Sequence, residues 1–255
     1  MKKNDQFYDK QYEWMNKFTG VAIGQYHHEL VGLVEKNSQQ GPLHLLELGS
    51  GNGEFAVAAA LREHQVTTVD IIQLAIQKMI HLAKENNVTK RMHVHHDSFY
   101  TIQFADKFDA ICYWDGFGVG ADEDQQLLLS NIDIWLKPGG KAFIDVYAPN
   151  YWRKTAGQFV KISQKIHRQY DYDLENNRML DSWWLSENPD EKKQQSLRCY
   201  DVVEFEKLIT STSLSIEEII PGGKMDYNSW VYHERVSLNE AMMYTVILQK
   251  NEVRL

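Results

Sequence analysis

The chain has 255 residues, of which 43% are hydrophobic and 24% charged, with a formal net charge of −8. This is ordinary globular composition, long enough for one large α/β domain with its own core and free of low-complexity tracts and internal repeats. The 27 basic residues are outnumbered by 35 acidic ones and lie scattered, so no electrostatic footprint for a nucleic-acid backbone is present.

No run reaches the roughly 18 apolar residues of a membrane span, and the first residues lack a signal-peptide core; no membrane association and a cytoplasmic location are expected. Two isolated cysteines, Cys112 and Cys199, fit buried thiols of a reducing compartment better than a disulfide or a metal site.

Residues 5–35 predict one or two helices, because Tyr8, Tyr12, Met15 and Phe18, then Ile23, Tyr26, Leu30 and Leu33, recur at three- and four-residue spacing. A polar linker, 36–42, leads into Leu43-His-Leu-Leu-Glu-Leu-Gly-Ser-Gly-Asn-Gly-Glu-Phe55. The leucines suit a buried parallel strand. Gly49, Gly51 and Gly53 form a tight turn in which a Cβ would block both left-handed backbone angles and the approach of a ligand, and Phe55 begins a helix. A dinucleotide fingerprint would read Gly-x-Gly-x-x-Gly; here the glycines alternate and the acid Glu47 stands two places before the first.

Gln65-Val-Thr-Thr-Val-Asp70 reads as the second strand, ending in an acid, and 71–85 as a helix. Arg91-Met-His-Val-His-His-Asp-Ser98 gives a third strand with Asp97 and Ser98 just past its end. Its alternation splits His93 and His95 from His96, and no carboxylate or thiol stands at ligand spacing, so no metal is expected. Phe108-Asp-Ala-Ile-Cys-Tyr-Trp114 is a fourth strand running into Asp115-Gly-Phe-Gly-Val-Gly120, a second glycine loop. A helix over 125–135 ends at Leu136-Lys-Pro-Gly-Gly140, read as a glycine-capped turn, and Lys141-Ala-Phe-Ile-Asp-Val-Tyr147 is the fifth strand. From Asn150 the pattern turns antiparallel for about 40 residues. A helix over 201–210 and strands over 214–220 and 241–250 complete the chain.

The alternating glycines with their acid, together with four further segments over residues 42–150, resemble class I S-adenosylmethionine-dependent methyltransferases. That resemblance implies an α/β, Rossmann-like sheet of seven strands with helices on both faces, the last strand antiparallel. It divides the chain into a helical cap (1–41), a cofactor-binding half (42–149), an antiparallel lid insertion (150–200) and the remainder of the sheet (201–255), all in one methyltransferase domain.

The implied cofactor is S-adenosyl-L-methionine, held by Glu47, Gly49, Gly51 and Gly53. Asp70 would take the ribose, Asp97 and Ser98 the adenine, and Tyr113 and Trp114 would border the ligand; Tyr8 or Tyr12 from the cap could touch it. Amino-methyltransferases of nucleobases often carry an Asn/Asp-Pro-Pro-aromatic motif after the fourth strand, which Tyr-Trp-Asp-Gly-Phe-Gly departs from. The Asp-Asn pair of metal-dependent catechol-type relatives is also missing.

The reaction expected is methyl transfer to an N or O nucleophile of a small molecule, with a catalytically silent cofactor-binding protein or a protein side-chain methyltransferase as alternatives. For a base the sequence offers Asp115, Tyr151, His167 and His233, none singled out by spacing. Residues 158–200 with 221–240 are longer than the sheet requires. They are expected to select the acceptor through aromatic faces drawn from Tyr151, Trp152, Trp183, Trp184, Tyr227, Trp230 and Tyr232. The acceptor's identity and the oligomeric state are left open by the sequence.

Overall fold

The computed structural model describes residues 2–18 and 22–251. Helices α1 (Lys2–Phe18) and α2 (Gln25–Asn37) come first, then β1 (His44–Leu48), α3 (Glu54–Leu61), β2 (Gln65–Asp70), α4 (Gln73–Glu85) and β3 (Met92–His96). Next are β4 (Phe108–Tyr113), α5 (Asp122–Trp135), β5 (Leu136–Tyr147) and α6 (Pro149–Thr155). Four strands follow: β6 (Phe159–Lys161), β7 (Ile166–Asp173), β8 (Arg178–Leu185) and β9 (Asn188–Arg198). The chain returns through α7 (Val202–Leu208) to β10 (Leu214–Pro221), a short hairpin of β11 (Lys224–Asp226) and β12 (Val231–His233), and β13 (Met243–Lys250).

The main sheet has seven strands in the order β10-β13-β5-β4-β1-β2-β3. β1 to β5 pair in parallel, and β13 runs antiparallel to both β5 and β10, as expected from the sequence. Alternation along β1 sends Leu46 and Leu48 into a core with Ile111, Ile144, Trp135 and Phe205, and Leu45 into an opposite core with Ala110, Cys112 and Phe143. All three leucines are fully buried, each contributing about 1.5–3 kcal/mol. Phe55 to Ala60 are buried on all sides; the small alanines let α3 fit between α2 and the sheet. The order changes direction between β1 and β4, so the loops leaving β1, β2, β3 and β4 open into one crevice at the carboxyl ends of the strands.

Three local readings change. Leu136-Lys-Pro-Gly-Gly140 is not a glycine-capped turn: Leu136, already extended (φ −72°, ψ 142°), ends α5. The run belongs to β5, with a register shift against β4 between Phe108 and Ala110 that absorbs Gly139 at φ 73°. The antiparallel insertion has four strands: β6, only three residues long, is too short for alternation to declare it and pairs with β7, while the first half of β9 (Pro189 to Lys192) is exposed and polar and lies where the register against β8 shifts. A charged strand of that kind blunts the sheet against pairing with other chains. Finally, residues 149–155 form a helix, opened by a proline at its first position.

Cofactor cradle, acceptor wall and family

The three glycines after β1 all take left-handed angles, with φ of 61°, 55° and 83°, and they do different work. A Cβ on Gly49 would lie 3.3 Å from the Tyr113 ring, and one on Gly51 2.5 Å from the Tyr12 hydroxyl. Both glycines border the hollows beneath α1, Gly51 directly under the Tyr12 hydroxyl. A Cβ on Gly53 would instead meet the Met79 side chain at 2.3 Å, so the third glycine is required by helix packing. The loop is fixed from β2. Val69 O accepts from Gly49 N (2.9 Å) and Ser50 N (3.2 Å), and the Asp70 carboxylate accepts from Gly51 N (2.7 Å) and Ile72 N (2.8 Å). Burial raises the Asp70 pKa while these main-chain donors pull it down.

Two adjoining hollows meet over this loop. A cavity of about 320 Å³ is walled by Asp70, Ile71, Ile72, Ser98 and Phe99 on one side and by Tyr147, Arg168, Trp183 and Gln195 on the other, with Tyr8 and Tyr12 of α1 above. A second hollow of about 450 Å³ lies toward Glu47, Gly51, Asn52, Glu54 and Met243. Tyr12, Gly49, Trp114 and Asp115 border both. Glu47 is 4% exposed, and its Oε2 has no hydrogen-bond partner among the described residues. Burial, with the nearby Glu54 and Asp70 charges, raises its pKa well above the ordinary range. An acid so placed calls for a cationic partner.

Asp115 stands at the junction of the hollows in a left-handed conformation, φ 53°, uncommon for a residue with a Cβ and typical of ligand clamps. Two neighbours from one face of β5 hold it. The Tyr147 hydroxyl donates to Asp115 Oδ1, and the Asp115 main chain donates to the Asp145 carboxylate. Asp115 is an exposed residue on the wall of the cavity, but the protein around its carboxyl displaces enough water that desolvation raises its pKa against the lowering effects of Tyr147 and Arg168.

The far wall comes from the four-stranded sheet. Register places Tyr170 opposite Asp181 and Asp181 opposite Gln195, so alternation brings Arg168, Asp181, Trp183 and Gln195 to one face. Asp181, completely buried, accepts from Arg168 Nε and Nη2 (both 2.8 Å), from Trp183 Nε1 (2.9 Å) and from Gln195 Nε2 (3.1 Å). The guanidinium also sits 4.4 Å from the Tyr170 ring centroid and 5.0 Å from that of Trp183.

Residues 45–140 match the model of a methyltransferase domain family. The whole fold is similar to solved structures at low sequence identity. The CcbJ methyltransferase from Streptomyces caelestis has a TM-score of 0.79 at 15% identity, over 97% of this chain and 99% of that one. An S-adenosylmethionine-dependent methyltransferase from Clostridium acetobutylicum has a TM-score of 0.72 at 13% identity, over 96% and 99%. CalS10 from Micromonospora echinaspora, an amino pentose methyltransferase solved with S-adenosylmethionine bound, has a TM-score of 0.64 at 14% identity, over 94% and 96%. No curated protein matches in sequence. The fold is that of these solved methyltransferases.

Of the residues singled out from the sequence, Gly49, Asp70, Ser98, Tyr113, Trp114 and Asp115 line the first cavity, and Glu47 and Gly51 the second. Asp97 does not line either; it is exposed, and its Oδ1 accepts from Ser98 N at 2.7 Å, closing a turn. Among the base candidates only Asp115 reaches the cavity. Tyr151 donates to Met225 O (2.9 Å). His167 points to the outer face of the lid, against Phe159 and Trp184, and His233 is exposed on β12.

The second glycine loop is partly a joint. A Cβ on Gly118 would lie 2.3 Å from Arg198 O, Arg198 N donates to Gly118 O (2.9 Å), and the Arg178 guanidinium donates to Gly118 O and Gly120 O. Of the lid aromatics, Trp183 lines the cavity; Tyr151, Trp152 and Tyr227 pack in the cluster behind it, and Trp230 and Tyr232 are exposed. Sequence reading missed Tyr147, Arg168 and Gln195. The signal available for the lid was Asp181, an acid at an inward position between the apolar Met179 and Trp183.

Among the described residues no helix is long and apolar enough to cross a membrane, and no group of three or more His, Cys, Asp or Glu is arranged to hold a metal.

Proposed function

We propose that this protein transfers a methyl group from S-adenosylmethionine to an N or O nucleophile of a small molecule. The carrying observation is the cradle in which Gly49 and Gly51, at left-handed angles, border the two hollows while Glu47 keeps a buried carboxylate oxygen without a partner among the described residues. An aminoacyl-bearing sulfonium nucleoside fits those groups. Glu47 would take its ammonium, Asp70 its ribose hydroxyls through the lone pairs left free by Gly51 and Ile72, and Ser98 with Ile71 and Ile72 would border the base. Asp97, engaged in its turn, would act through the position of Ser98.

When bound, this cofactor supplies an electrophilic methyl group on a sulfonium, and it departs as a thioether once the nucleophile's lone pair has taken the methyl. The chain's own part is alignment, exclusion of water and proton handling. Tyr8 and Tyr12 roof the cavity. Asp115, its pKa raised by desolvation, accepts the proton that an amine or hydroxyl loses, and Tyr147 fixes the carboxylate for that role. The enclosed pocket favours a small acceptor over a folded protein or a nucleic acid. CalS10, similar in fold, is an amino pentose methyltransferase, which supports the same reading.

Calorimetric titration with S-adenosylmethionine and, separately, NAD tests the cofactor: the first should bind and the second should not. Asp70→Ala should weaken S-adenosylmethionine by roughly 1.5–3 kcal/mol, the scale of a hydrogen bond to a charged group. Unchanged affinity in a variant that melts like the wild type would remove Asp70 from the ribose site.

A further inference from the structure

The wall contributed by the four-stranded sheet narrows the acceptor, an inference that rests on the methyltransferase reading above. Arg168 is the one guanidinium on the cavity wall, and Asp181 already matches its charge through two parallel hydrogen bonds of 2.8 Å. Nη1 of Arg168 makes no hydrogen bond among the described residues, so the pair still has a donor to offer. Gln195 meets the same acid: its Nε2 and Arg168 Nη2 converge on Asp181 Oδ2, at 3.1 and 2.8 Å. A carboxylate can only accept, which settles the orientation of the amide and leaves Oε1 as an acceptor. That oxygen is shielded from solvent and has no hydrogen-bond partner among the described residues. The wall therefore offers one donor and one acceptor side by side, carried by a charge-balanced cluster.

The other charged groups on the cavity wall are the acids Asp70 and Asp115; among the described residues no second cation lines it. A carboxylate on the acceptor would gain one donor from a guanidinium that is already neutralised, while facing the lone pairs of Gln195 and the field of Asp115. An amine suits Asp115. A neutral group that both accepts and donates suits Arg168 Nη1 and Gln195 Oε1 together, and such a site penalises analogues lacking that group because its own buried polar atoms are then left unpaired.

We infer that the methyl acceptor is an amine that also carries a neutral donor–acceptor group, a hydroxyl pair or a carboxamide, with Asp115 receiving the amine and Arg168 and Gln195 reading the neutral group beside the ring of Trp183. Arg168 and Gln195 are then specificity residues of the acceptor site, and Asp181 is a positioning residue that fixes both.

The test uses the full chain saturated with S-adenosylhomocysteine and two matched pairs of probes, glycinamide against glycine and glucosamine against cyclohexylamine, by calorimetry. The first member of each pair should bind about tenfold tighter or more than the second, a difference of about 1.4 kcal/mol. Gln195→Met should collapse that preference while leaving S-adenosylhomocysteine affinity unchanged, and in turnover it should raise KM for the preferred amine more than it lowers kcat. Tighter binding of glycine than glycinamide, a preference that survives Gln195→Met, or no binding of any probe to a protein that does bind S-adenosylhomocysteine would overturn the inference. The wild-type pairs decide the point even if the variant does not fold. Failure to bind S-adenosylhomocysteine at all would instead strike the methyltransferase reading beneath it.

Discussion

Residues 45–140 bring main-chain groups to the site, through glycines at left-handed angles and amides tied to one carboxylate, whereas the sheet of β6 to β9 brings side chains, locked to one another around the buried Asp181. The two walls face the same cavity. Main-chain recognition tolerates little change, because the loop must clear Tyr12 and Tyr113 and keep its backbone angles. Side-chain recognition depends on strand register alone, so different polar groups can be set on the lid while the cradle stays constant. On the function proposed above, the first half would take the cofactor and the second the acceptor.

The largest effect should come from the main-chain wall. Gly51→Val places a branched side chain where even a Cβ lies 2.5 Å from the Tyr12 hydroxyl, at φ 55°. Cofactor binding should fall below calorimetric detection, and measurable binding would show that the cradle is more pliable than its geometry.

On the lid wall, Asp181→Ala leaves the Arg168 guanidinium without its carboxylate in a largely buried setting, a change that costs about 3–5 kcal/mol. Urea denaturation should reveal that loss, with cofactor affinity preserved in the folded fraction. A loss of cofactor affinity as large as the loss of stability would mean that the two walls are not separable.

Asp145 sharpens the contrast, since it is a side-chain charge beneath the main-chain wall. Its carboxyl is raised from 3.8 to about 7, mainly by burial and in part by the Asp115 charge, against the Thr245 hydrogen bond. With the folded pKa above the unfolded one, the native state holds the proton more tightly. The stabilisation is therefore complete below pH 3.8 and is lost as pH rises toward 7. Relative to Asp145→Asn, the wild type should lose stability across that window, by up to roughly 4 kcal/mol. Parallel stability–pH curves for the two proteins would contradict it.

The smallest effects belong to the outer aromatics. Trp184 packs on Phe159 and His167 on the far side of the lid, and Trp230 is 56% exposed. Single alanine variants should leave acceptor KM unchanged, while Trp183→Ala, on the cavity wall, should raise it. Equal effects at all three positions would erase the distinction between the two faces of the lid.

The sequence by itself determined the cradle and the sheet. The turn of Gly49, Gly51 and Gly53 was legible because left-handed backbone angles favour glycine, and the buried strands declared themselves as apolar runs. It also held that His93, His95 and His96 do not converge, since strand alternation separates them. Tertiary structure alone decided that Gly53 and Gly118 answer to packing against Met79 and Arg198, that Asp97 closes a turn, and that Asp115 among four candidate bases reaches the cavity. It alone assembled Arg168, Asp181 and Gln195, which lie on three different strands. Local constraints leave a local signature in the chain; a cluster built across strands depends on register and on the docking of one sheet over another, which no single segment encodes.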